Sequence, residues 1–151
     1  MKKILLSFFA VLFLGMLINC ASTKNQNNQT ATRDYKIQRE WMLVAFGNYA
    51  KSDLVKNKAK IDLTANIEEG KIKGEAYMGC NKMFFSSEFK NDGKVKISGV
   101  GSTMMACQDM KLEDDFSKSF KNMTKYSVEG HFLTLSDDQG NQMKFVAADW
   151  D

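Results

Sequence analysis

The side chains of this 151-residue sequence with chemistry beyond packing are three cysteines, one histidine and ten methionines. Cys80 and Cys107 enclose a segment of about 28 residues, and three fates are open to such a pair. It can form a disulfide, remain as buried thiols, or ligate a metal as thiolates. The last would recruit neighbours, because Met78, Met83, Met104 and Met105 cluster around the two cysteines and thioether with thiolate selects Cu(I). Methionine also fills irregular cores, which is the plainer reading of the same cluster. His131 stands beside a turn signal at Gly130, and no Ser-His-Asp or Cys-His arrangement assembles around it. Asp114-Asp115 and Asp137-Asp138 read as a helix start and a turn, and no glycine-rich phosphate loop precedes a helix. Neither catalysis nor a cofactor is expected.

Cys20 belongs to a different context. Lys2 and Lys3 open the chain, and a run of about 15 mostly apolar residues, Ile4 to Ile18, follows them. That matches a secretory signal and falls short of the roughly 20 residues that span a bilayer. The run ends Leu17-Ile18-Asn19-Cys20, which resembles the bacterial lipobox, whose cysteine is acylated and becomes the mature N-terminus. Residues 1–19 are then a signal peptide, Cys20 is the lipidation site, and membrane attachment runs through its acyl chains. Ala21 after the cysteine favours the outer membrane, by resemblance to enteric sorting rules. Residues 20–38 read as a polar tether, since Lys24 to Thr32 offer no large apolar side chain to offset ordering entropy. Lys2 and Lys3 leave with the signal, so 19 basic residues face 18 acidic ones. With both signs interspersed, nucleic acid is not an expected partner, and a monomer is expected.

The cysteine pair has to be positioned by the remaining domain, residues 39–151. Its apolar residues alternate in short runs: Trp41-Leu43-Ala45, Ala59-Ile61-Leu63, Ile72-Gly74-Ala76, Met83-Phe85-Ser87-Phe89 and Val95-Ile97. Two later runs, Phe132–Leu135 and Gln142–Val146, follow one around Tyr126–Val128. A period of two between turn signals means antiparallel strands. Leu112, Phe116, Phe120 and Met123 instead recur at helical spacing, with acids early and lysines late, so a helix spans about Lys111–Asn122. The expected fold is mainly β (α+β): a small antiparallel barrel or curled sheet of about eight short strands with one packed helix.

In an exported protein, with Cys20 given to lipid, the simplest fate of Cys80 and Cys107 is a disulfide contributing roughly 3–4 kcal/mol. Free thiols and metal ligation stay open as alternatives. Gly79 permits a backbone conformation denied to other residues. Asn81 can bond neighbouring backbone groups, and Thr103 can reach across to the first loop. Phe84 and Phe85 point to opposite faces of their strand, so one is a candidate exposed contact.

Gly79-Cys80-Asn81 followed by Ser102-Thr103-Met104-Met105-Ala106-Cys107 resembles the META domain, the family of the heat-inducible, HslJ-like bacterial lipoproteins. The resemblance runs from about Arg39 to Val146 and takes in Trp41-Met42-Leu43, Gly74, Glu113, Phe116, Leu133 and Leu135. It implies a non-catalytic binding or maintenance module of the envelope, tied to envelope or heat stress, and the surface of a small sheet offers a place for an envelope protein or a small apolar ligand. It also lends some weight to the alternative of copper-stress function, with Cys80, Cys107, Met104 and Met105 as ligands.

Overall fold

The computed structural model describes residues 34–150. The signal, Cys20 and the tether up to residue 33 lie outside the described residues. Nine strands and two helices follow in the order β1 (Glu40–Phe46), α1 (Lys51–Lys56), β2 (Lys60–Asp62), β3 (Ile67–Glu68), β4 (Lys71–Tyr77), β5 (Lys82–Phe89), β6 (Val95–Ser102), α2 (Lys111–Phe120), β7 (Lys125–Glu129), β8 (Phe132–Ser136) and β9 (Gln142–Ala147).

All pairings between these strands are antiparallel, in the order β6-β5-β4-β2-β1-β9-β8-β7, with the two-residue β3 beside β4. The two edges of this curled sheet meet at one place. Lys94 bridges Lys125, Val95 N–H donates to Thr124 O at 2.9 Å, and Tyr126 N–H donates to Gly93 O at 2.7 Å. Strand twist brings the outer strands round, and this seam fixes the curl.

The inward faces are the ones that alternation marks: Ala59, Ile61 and Leu63, then Ile72 and Ala76, then Met83, Phe85 and Ser87 are buried. Helix α2 fills the concavity with Leu112, Phe116 and Phe120, and Met123 just beyond its end continues the stripe. Phe120 meets Phe85 edge-on at 4.8 Å, and Phe116 meets Phe46 edge-on at 6.1 Å. Each such burial contributes about 1.5–3 kcal/mol.

The structure departs from expectation in four places. Ala45 is exposed and Phe46 is buried, because the β1–β9 register shifts between Leu43 and Ala45. A bulge adds one residue and turns the following side chain to the other face. There are two helices rather than one, since α1 carries a single buried residue, Leu54, and has no stripe to reveal it. The two-residue β3 raises the strand count to nine. The tether assigned from composition ends before residue 38: Ile37 and Gln38 are 2% and 3% exposed, whereas residues 34–36 are exposed. Trp41 Nε1 donates to Ile37 O at 2.9 Å, and Gln38 Nε2 donates to Ala65 O at 2.6 Å. One isoleucine was enough to dock a segment that is otherwise polar.

Candidate functional site

Cys80 and Cys107 form a disulfide with Cα atoms 6.2 Å apart. Cys80 sits in the core wall at 4% exposure. Cys107 lies in the irregular, exposed segment that joins β6 to α2. Gly79 precedes Cys80 at φ +114°, and a Cβ there would lie 2.4 Å from the Asn57 Oδ1 at the end of α1. The backbone angle requires glycine there, and any side chain would also have to push the Asn57 amide aside. Gly74, on β4, makes room for the Phe85 ring, which a Cβ would meet at 2.3 Å.

Asn81 is 1% exposed and organises the segment opposite it. Its Oδ1 accepts the Met105 N–H at 2.7 Å, and its Nδ2 donates to the Met105 carbonyl at 3.2 Å. The amide thus acts as one rung of a β-ladder. Thr103 Oγ1 donates to the same Oδ1 at 2.8 Å and accepts the Lys82 N–H at 3.2 Å. Thr103 N–H returns to Lys82 O at 3.0 Å. The backbone N–H of Asn81 goes to Glu113 Oε2 at 2.6 Å. Glu113 is 5% exposed in the first turn of α2, so one buried carboxylate ties the helix to the cysteine turn.

The clamp holds a loop whose side chains do not enter the core. Met104 is 98% exposed and Met105 55% exposed, and Phe84, on β5, is 45% exposed. Ser102 is exposed at the end of β6, opposite Met83. Met78 and Met83, by contrast, are both core residues at 2%. The methionine cluster of the sequence therefore divides between interior and surface. In this oxidised form the two sulfurs are bonded to each other and neither is a thiolate ligand. Among the described residues no group of three or more His, Cys, Asp or Glu side chains could hold a metal.

A second site faces the other side of the same helical turn. A groove of about 470 Å³ is lined by Phe46, Tyr49, Lys111, Asp115, Met123 and Gln142, among others. The Tyr49 hydroxyl donates to Asp115 Oδ2 at 2.7 Å, and Lys111 Nζ reaches the same oxygen at 2.6 Å and the Tyr49 hydroxyl at 3.2 Å. Tyr49 stacks on Phe46 at 5.6 Å, and the ammonium of Lys111 lies 5.2 Å from its ring centroid. The bond from Lys111, and then that from Tyr49, hold the Asp115 carboxyl below the ordinary carboxylate range. Desolvation, and then the bond to Asp115, raise the Tyr49 phenol. Asp115 raises Lys111 in turn. The trio satisfies itself and latches α2 to the segment after β1.

Sequence reasoning singled out the cysteines, Gly74, Gly79, Asn81, Ser102, Thr103, Met104 and Met105. It places Glu113 among the dipole-favoured acids of the helix start and among the residues that carry the resemblance, without a contact, and it gives Tyr49 and Lys111 no part in a site. Glu113 could have been found, since it lies three and seven residues before Phe116 and Phe120, on their face of the helix. Tyr49 lies 66 residues from Asp115, and nothing local announces that pairing. His131 stacks on Trp150 at 4.8 Å.

The family model described as META domain matches residues 34–150. No curated protein sequence matches the chain significantly. Two solved structures share its fold. The NMR structure of a protein from Burkholderia xenovorans is 18% identical, with a TM-score of 0.61 over 84% of this chain and 99% of that one. A second NMR structure is 19% identical, with a TM-score of 0.56 over 75% of this chain and 92% of that one.

Proposed function

The chain belongs to the META-domain family, and from that premise we propose that it is a non-catalytic binding module of the cell envelope, anchored by lipid on Cys20 in the outer membrane. The observation that carries this reading is the clamped loop. A disulfide and one buried asparagine fix the backbone at Met105 while Met104 and Met105 point into solvent. Ordering a loop costs conformational entropy, and here that ordering fixes two flexible apolar side chains of the kind used at adaptable protein contacts.

Two further observations support a non-catalytic role. The sole histidine is stacked on a tryptophan, and both domain cysteines are joined to each other. An oxidised pair fits the exported location that the signal-like N-terminus and Cys20 suggest.

Two measurements test the reading. Mass spectrometry of the mature chain is expected to find an acylated N-terminus at Cys20. Cross-linking in intact envelopes is expected to join the protein to a defined partner, and the pair Met104→Ser with Met105→Ser is expected to abolish that adduct without lowering Tm. An adduct unaffected by the double substitution would remove the loop from the binding surface.

A further inference from the structure

A second apolar feature lies on the opposite surface of the sheet from the core. Met42, Val146 and Phe132 stand directly across from one another on β1, β9 and β8, and all three remain partly exposed. The row ends in charge on both sides, at Lys60 beyond Met42 and Glu129 beyond Phe132. Trp150 is 46% exposed, packs edge-on against Phe132 at 5.5 Å and stacks on His131 at 4.8 Å. Its backbone N–H donates to Ala147 O at 3.2 Å, which holds the residue just past β9. Lys144 Nζ lies 4.8 Å from the Phe132 centroid.

The place of this patch in the fold gives it meaning. The chain enters the domain at the same end. Ala148 N–H donates to Glu40 O at 2.9 Å, Ala147 N–H donates to His131 O at 2.9 Å, and Arg39 pairs with Asp149. Tyr35, 75% exposed, stands just before β1. The roughly 13 residues between Cys20 and Asp34 can reach at most about 45 Å. A domain held by a lipid on Cys20 therefore stays within reach of the bilayer, and the end at which the chain enters it carries an exposed tryptophan.

We propose that this end is a membrane-resting face, with Trp150 and Phe132 seated in the interfacial layer of a zwitterionic lipid bilayer. The proposal rests on the reading of Cys20 as the lipidated residue. Amphipathic aromatic rings settle at headgroup depth, where one part of the ring is apolar and another wet. The charges decide the kind of surface. Arg39 pairs with Asp149 and Lys60 with Glu40, so the described residues at this end form no polybasic cluster to select anionic lipid. A patch this small binds weakly when free. The anchor makes contact intramolecular and raises its effective concentration, so the face is occupied without high intrinsic affinity.

Quenching by bilayers with brominated acyl chains tests this, because Trp41 is 0% exposed and serves as an internal control. Two preparations are compared in phosphatidylethanolamine–phosphatidylcholine vesicles: the protein extracted from membranes, and the chain from Cys20 coupled through that thiol to a maleimide phospholipid. The expected result in both is loss of Trp150 emission with Trp41 unchanged, no gain on adding anionic lipid, and disappearance of the quenched component in Trp150→Phe. Quenching in the coupled chain alone, with the extracted protein carrying no acyl mass, would support the face and overturn the native anchor. Unquenched Trp150 in an acylated or coupled protein would overturn the face and leave the anchor standing. Shielding of Trp150 by a second copy or a protein, without lipid quenching, would overturn it equally.

Discussion

The first turn of α2 is attached to the sheet on two sides, and the two attachments are built differently. On one side Glu113 is buried, takes the backbone N–H of Asn81, and backs a turn that is covalently joined to the loop before the helix. On the other side Lys111 is exposed and Asp115 partly so, and both meet the Tyr49 hydroxyl at an open groove. The first side uses one charged residue, Glu113, and the second uses Lys111 and Asp115, four positions apart and flanking it. Removing a partner from the first leaves a polar group that water cannot reach, whereas water and salt replace the second readily. The strength of a contact here follows its burial rather than its count of hydrogen bonds.

The comparison can be broken most forcefully at the disulfide. Replacing Cys80 and Cys107 together by serine is expected to lower unfolding free energy by about 3–4 kcal/mol, measured by urea denaturation, with reductant giving the same loss in the unsubstituted protein. A loss below about 1 kcal/mol would mean that Asn81 already holds the loop. Next comes Glu113→Ala, which strands a buried N–H and is expected to cost about 1–3 kcal/mol, with Glu113→Gln costing less. Asn81→Ala is expected to cost about 1–2 kcal/mol and to speed amide exchange at Met105 above all, since that residue loses both backbone partners.

The exposed side should respond weakly. Tyr49→Phe is expected to change stability by less than about 1 kcal/mol. A larger effect that survives high salt would place the groove in the same class as the buried clamp. The smallest effect is in titration. Asp115 is held low first by Lys111 and then by Tyr49. Its contribution is therefore fully present above the ordinary carboxylate value and is lost as pH falls through the depressed folded value. Lys111→Met is expected to move the carboxyl titration, followed by NMR, back toward the ordinary range. Lys111 has the opposite sign: its raised value means that its contribution is present below the unfolded amine value and fades as pH rises through the folded one.

Much of the fold was legible because burial alternates with period two along β2, β4 and β5 and with helical period along α2. The bulge in β1 was not, because a one-residue insertion is set by the partner strand and leaves no local mark. Helix α1 escaped because six residues with one buried side chain have no pattern. At the clamp, residue types were informative: a glycine before a cysteine, a short amide after it, and a threonine near the second cysteine each suit a tight turn. The two-bond grip of Asn81 on Met105 and the burial of Glu113 depend on how loop and helix meet, which spacing along the chain does not encode. The same holds for the Tyr49 latch.

The entry point of the chain has a mechanical consequence. Strand β1 begins there and lies between β2 and β9, hydrogen-bonded to both. A tug arriving through the N-terminal segment runs along the axis of β1 and loads both ladders in shear, so their bonds must yield together rather than unzip one by one. Pulling from that end should meet high resistance.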